Sequence, residues 1–197
     1  MQSSSVDWHL PTCPVVTIMP NSINGWTVID SYSDPRLATG KVPGANRKLV
    51  ARKEALPLFL ALAADYHNWV AAIDKGTLDD WGYAYRPSRV NSNWSNHASG
   101  TAIDLNASKE GSRNLRNRKW YSLAGRMNQV KRIKRIYPIV NWGGDWSDKY
   151  YDPMHWELKK GTSVADVQRL IKKLGIKPNG TRTRNWAGIP LRAGRPQ

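Results

Sequence analysis

His97 and Asp104 stand seven residues apart on either side of Gly100, in the run Ser95-Asn96-His97-Ala98-Ser99-Gly100-Thr101-Ala102-Ile103-Asp104. A chain that brings both side chains to one point must turn at the glycine and then run extended, because period-two alternation places Ala102 and Asp104 on one face and packs Ile103 and Leu105 behind it. Asp152-Pro153-Met154-His155 supplies a second imidazole with a carboxylate three residues before it. The chain has only four histidines, and two of them fall in these acid-bearing segments. Imidazole nitrogen and carboxylate oxygen are zinc donors, and a catalytic zinc keeps three protein ligands with its fourth position open. His97, Asp104 and His155 are the candidate ligands.

The pattern S-x-H-x-x-G-x-A-x-D, followed about fifty residues later by acid-x-x-His, resembles the zinc D-Ala-D-Ala carboxypeptidase and L-alanyl-D-glutamate peptidase family, many of whose members are bacteriophage endolysins. Trp142-Gly143-Gly144-Asp145-Trp146 is similar to the segment that family carries before its last zinc ligand, and Tyr85-Arg86 to its substrate-side arginine strand. The resemblance runs from Val50 to Leu174. It implies a Zn2+ cofactor and a small α+β domain of the D-Ala-D-Ala metallopeptidase or Hedgehog-like type, with an antiparallel sheet, helices packed on one side and the zinc site on the open face. It also implies hydrolysis of peptidoglycan stem peptides. The carboxypeptidases usually carry Glu where this chain has Asp152, so the expectation here is the endopeptidase branch and the L-Ala-D-Glu bond. The alternatives are a D,D-carboxypeptidase or D,D-endopeptidase, and a wall-binding module that keeps zinc without catalysis.

Zinc acidifies its water, but a base must still take that proton and pass it to the leaving amine. Family spacing selects Asp152. Glu157 is the other candidate and would otherwise orient His155. Trp81-Gly82-Tyr83-Ala84-Tyr85-Arg86 alternates large and small side chains, which as a strand sets the aromatics on one face and Arg86 on a face of small residues. A guanidinium there can hold a peptide carboxylate or a developing oxyanion. The competing reading is a surface arginine lying over Tyr83 or Tyr85. Ser95 shares His97's face in an extended segment and is the candidate substrate hydrogen-bonding residue. Asp145 reads as a turn residue, His67 as a core histidine and His9 as a loop residue. Of the ten tryptophans, Trp94, Trp142, Trp146 and Trp156 flank the motifs and are candidates for the cleft, and Trp69 for the core.

With 197 residues and 40% apolar composition, one catalytic domain is expected. Its expected span is 1–175, with 1–44 a loop-rich N-terminal wrap, followed by a basic tail or linker over 176–197. No apolar run reaches the roughly eighteen residues of a membrane span. Met1 to Asp7 shows no secretory pattern, so the enzyme is expected to be made in the host cytoplasm and to reach the wall by another exit route, as a released phage lysin does. The single Cys13 reads as structural or incidental. Helices are expected from about Glu54 to Ile73, over Tyr121 to Ile136, and from Ser163 to Gly175. Strands are expected at 101–105, 139–142 and 154–158.

The net charge of +15 is segregated: 113–135 and 159–197 carry +9 each, leaving −3 elsewhere. Such a distribution suits an anionic polymer. Peptidoglycan and anionic wall polymers are the expected partners and a monomer the expected state. Nucleic acid is disfavoured, because no arginine-rich motif or stacking platform is recognisable. A merely solvated basic face is the plain alternative.

Overall fold

Residues 19–74, 78–89, 91–107, 120–122 and 125–183 are described by a computed structural model of the chain. Strands β1 (Leu37–Lys41) and β2 (Lys48–Arg52) form an antiparallel pair, with Leu37 opposite Arg52 and Lys41 opposite Lys48. Helix α1 (Leu56–Trp69) follows, then β3 (Ala102–Asp104), α2 (Arg126–Ile136), β4 (Val140–Trp142), a short 3-10 turn at Gly143–Asp145, β5 (His155–Leu158) and α3 (Val164–Leu174). The second sheet has the order β3-β5-β4, with β5 central and antiparallel to both neighbours.

β5 separates the layers by its alternation. Trp156 and Leu158 are buried in the core, where the Trp156 ring meets Tyr66 of α1 edge-on at 6.3 Å. His155 and Glu157 point the other way and line a cavity of about 780 Å³. The helices therefore cover one face of the sheet, and the other holds the candidate site, an α+β architecture as expected. α1 is the hub of the helical layer, since Leu58, Phe59, Leu60, Leu62 and Tyr66 are fully buried and both α2 and α3 pack on it. A helix apolar around most of its circumference belongs inside a fold. No helix among the described residues is long and apolar enough to cross a membrane.

α3 follows its sequence signals closely. Ser163 Oγ accepts from Asp166 N, Asp166 accepts from Ser163 N, and Gly175 ends the helix in the left-handed region at φ 62°. α1 ends at Trp69, four residues before the expected Ile73, where the His67 ring accepts the Ile73 N–H at 3.2 Å. His67 is thus only partly buried and closes a helix end. β1 lies within the N-terminal wrap, where one or two short strands among loops are expected, and just beyond the wrap Leu49 and Ala51 of β2 are buried with period two. The segment from Trp81 to Arg86 is held by isolated bridges, Trp81 to Asp104 and Pro87 to Trp94, and its aromatics do not share one environment: Tyr83 is buried while Trp81 and Tyr85 are exposed. Tyr83 is drawn inward because its hydroxyl donates to Ile29 O at 2.7 Å. His9 and Cys13 lie outside the described residues.

Two ion pairs with buried carboxylates tie distant parts together. Arg182 pairs with Asp65 of α1, which also accepts the Tyr137 hydroxyl at 2.8 Å, so residues 176–183 turn back onto the helical layer instead of leaving it at Gly175. Asp80 accepts Arg47 Nε at 3.0 Å and Asn106 N at 2.7 Å. Burial pushes the Asp80 carboxyl up to about 6 against the pull of these donors. Between about pH 4 and about pH 6 the folded chain then holds a proton on Asp80 that the unfolded chain has released, so this group's contribution to stability falls as pH rises through that window. The stability difference between wild type and Asp80→Asn, measured by urea unfolding, should move against wild type by about 2–3 kcal/mol from pH 4 to pH 6.5. A difference flat in pH contradicts this.

Candidate metal centre

The turn at Gly100 places His97 over the face of β3. Gly100 adopts φ 68°, its N–H donates to His97 O at 3.0 Å, and a Cβ there would come within 2.6 Å of Arg52 N. The residue is glycine for both conformation and space. β3 carries Asp104 directly opposite His155 on β5, so sheet register brings together two residues fifty-one apart in sequence. His97, Asp104 and His155 are all buried, and each offers a donor atom within 4.8 Å of the others.

The hydrogen bonds around this trio fix which ring atoms are free. His97 Nδ1 lies 2.5 Å from the Gly82 carbonyl oxygen, which can only accept, so Nδ1 carries the proton and Nε2 is left with its lone pair. His155 Nε2 lies 2.9 Å from a Glu157 carboxylate oxygen, so by the same argument its Nδ1 is the free nitrogen. His97 Nε2, His155 Nδ1 and Asp104 Oδ1 then converge at separations of 3.2, 2.9 and 3.3 Å. Three lone pairs that close repel unless a cation sits among them. A tetrahedral zinc with ligands at about 2.0–2.1 Å has donor-to-donor edges of roughly 3.3 Å, so the trio could hold that ion with little rearrangement.

Electrostatics express the same demand. Burial disfavours charge on Asp104, yet His97 and His155 outweigh burial and hold its carboxyl well below the usual range. Burial likewise opposes charge on His155, but Asp104 and Glu157 overcome it and push the imidazole up to about 10. These carboxylates thus favour a positive charge at this point. Glu157 is held below the ordinary carboxylate value against its burial, because His155 donates to it and Asn96 Nδ2 donates to the same oxygen at 2.6 Å.

Asp152 sits differently. Its backbone carbonyl accepts His155 N at 3.1 Å and its N–H reaches Gly143 O at 3.0 Å, so the turn through Pro153 brings acid and imidazole to one side. Tyr121 Oη and Trp142 Nε1 both donate to Pro153 O, at 3.1 and 2.7 Å, and brace this turn from the core. Gly143 is required at this approach, since a Cβ would stand 2.2 Å from Asp152 O. The Asp152 carboxyl lines the cavity with one buried oxygen that has no hydrogen-bond partner, and burial raises it to about 6.

Arg86 and Ser95 line the same cavity and are joined by a backbone hydrogen bond from Ser95 N to Arg86 O at 3.3 Å. Desolvation, then the neighbouring Arg89, depress the Arg86 guanidinium, whereas Asp104 and Asp152 act the other way. No carboxylate pairs with Arg86 among the described residues. The aromatic wall opposite is Trp146, whose ring lies 5.3 Å from His155, with Tyr150 and Tyr151. Trp142 and Trp156 lie behind the sheet, and Trp94 stacks on Tyr85 at 4.7 Å. Asp145 pairs with Lys134 of α2.

Sequence reasoning missed three supports of the centre. Asn96 holds Glu157, Gly82 offers the carbonyl that sets the His97 tautomer, and Trp81 Nε1 donates to Asp104 Oδ2 at 2.8 Å. Only Asn96, beside His97 in the motif, stood where a sequence signal could point. Groups that orient metal ligands typically contribute 10–100-fold to affinity. Trp81→Phe keeps the exposed ring and removes the donor, so zinc affinity measured by chelator competition should fall about tenfold. An unchanged affinity would remove Trp81 from the site.

Residues 88–158 match a family model described as D-alanyl-D-alanine carboxypeptidase. The matched segment contains Ser95, all three candidate ligands and Asp152, and it supports a hydrolase of the metallopeptidase kind. Neither the curated proteins nor the solved structures gave a match to the chain.

Proposed function

We propose that the chain is a zinc-dependent peptidoglycan peptidase of the endolysin type that cleaves the L-Ala-D-Glu bond of the stem peptide. The observation that carries this reading is the convergence of three lone pairs, with Asp104 and His155 lining the same cavity as the Asp152 carboxyl and its unsatisfied buried oxygen. His97, Asp104 and His155 would hold the metal, and zinc bound there would supply a Lewis acid and an acidified water. Asp152 takes the proton of the attacking water and returns it to the departing amine, a role suited to a carboxyl that burial has raised towards neutrality. Glu157 is already occupied by His155 and Asn96 and keeps the imidazole aimed. Arg86, with no carboxylate partner among the described residues, binds a substrate carboxylate or the oxyanion, and Ser95 hydrogen-bonds the peptide beside it.

Mass spectrometry of fragments from digested walls tests the bond. Cleavage of L-Ala-D-Glu leaves stem peptides that begin with a free D-Glu amine, and those fragments are expected. Loss of a terminal D-Ala, or opening of D,D cross-links alone, would move the assignment to the carboxypeptidase or D,D-endopeptidase reading. Zinc retention with no bond cut in any wall would favour the non-catalytic module.

A further inference from the structure

Among the described residues, a basic surface outside the cavity lies where α2 crosses the end of α1. Arg132 of α2 packs over the Trp69 ring at 4.1 Å, and Arg182 approaches the same ring at 5.8 Å. Lys131 and Arg135 stand exposed one helical turn apart, and neither has a carboxylate partner among the described residues. Three other cations are held by carboxylates, Lys134 by Asp145, Arg169 by Asp166 and Arg47 by Asp80, whereas Lys41 and Lys48 of the β1–β2 pair are exposed. Like charges at i and i+4 repel. Among the described residues, the carboxylates near the cluster are engaged elsewhere: Asp65 is buried and holds Arg182 and the Tyr137 hydroxyl, and Asp145 pairs with Lys134.

We infer that this surface, centred on Lys131, Arg132 and Arg135, docks a phosphodiester polymer of the bacterial wall. The inference rests on the proposed wall-cutting function for the identity of the polymer, while the charge arrangement itself is independent of it. Guanidinium and ammonium groups without internal partners are complementary to phosphates spaced along a flexible chain. Nucleic acid is the less favoured occupant, because single-strand binders stack bases on open aromatic faces and the Trp69 ring already packs against Arg132 and Arg182. α2 belongs to the helical layer and the cavity opens on the opposite face of the β3-β5-β4 sheet, so a polymer held here leaves the cleft free for a stem peptide. The enzyme would then be tethered to one wall component while cutting another.

The test compares Lys131→Gln/Arg135→Gln with Lys41→Gln/Lys48→Gln, which removes equal charge from the exposed β1–β2 pair. Binding to poly(glycerol phosphate) and to purified walls with and without their phosphodiester polymer is measured across a salt series, and hydrolysis of a soluble stem peptide is measured in parallel. The α2 variant is expected to bind polymer about tenfold more weakly, with a shallower dependence on log salt by roughly 0.7 per lost phosphate contact, and to cleave soluble peptide at the wild-type rate. The β1–β2 variant should bind as wild type does. Equal losses in both variants, retained binding in the α2 variant, or wild-type binding to single-stranded DNA tighter than to the phosphodiester polymer would each overturn the inference. Absence of soluble-peptide cleavage by wild type with polymer binding intact would instead count against the proposed function and leave the docking surface standing.

Discussion

His155→Ala is expected to abolish wall cleavage and to lower zinc affinity by on the order of 10²–10³-fold, the share of one ligand in a binding free energy of roughly 10–16 kcal/mol spread over four positions. The substitution removes more than one donor. Glu157 loses the proton it accepts, Asp104 loses its 2.9 Å neighbour, and the lone pair of His97 Nε2 faces a single carboxylate. Metal analysis after dialysis against a weak chelator should find the variant empty under conditions that leave wild type loaded. His67→Ala is the matched control, because His67 closes the end of α1 far along the chain from the trio and its loss should leave zinc content unchanged. A His155→Ala protein with undiminished zinc would remove the centre described above.

The second large effect falls on Asp152. Asp152→Asn preserves the turn, whose hydrogen bonds run through the backbone of residue 152, and removes the proton acceptor. Losing a general base typically costs 10²–10⁴-fold, so kcat should fall by about that factor while one zinc remains bound. Glu157→Gln makes the contrast informative. Its carboxylate is engaged by His155 Nε2 and Asn96 Nδ2, so this variant should weaken zinc binding first and lose activity in proportion to the lost metal. The opposite pattern, with Glu157→Gln holding zinc but inactive and Asp152→Asn active, would exchange the two roles.

How far the site was legible in the sequence depends on how local each part is. The turn at Gly100 and the strand that follows are set by neighbouring residues, so the spacing of His97 and Asp104 carried its meaning within ten positions. His155 came through the acid-x-x-His pattern, and its meeting with Asp104 needed only that β3 and β5 pair in register. α3 was readable to its caps because Ser163, Asp166 and Gly175 act on backbone groups within one turn. The groups that select the histidine tautomers were not readable. The Gly82 carbonyl reaches His97 from fifteen residues away and Trp81 reaches Asp104 from twenty-three, through bridges that leave no periodicity. β2 was hidden for another reason: Leu49 and Ala51 precede a helix, and a short apolar run there fits either period. The alternation at Trp81 to Arg86 suggested a regular strand, but Tyr83 turns inward to reach Ile29 and breaks the shared aromatic face.

Reconstitution of the chelator-stripped protein with zinc, read as new amines released from purified peptidoglycan, tests the central claim most directly. Activity should be absent without metal, rise in proportion to added zinc and level off at one equivalent per chain, while His97→Ala and Asp104→Ala stay at background. Full amine release from the stripped protein, or a wild-type chain that binds zinc at this trio and releases no amines from any peptidoglycan, would contradict it.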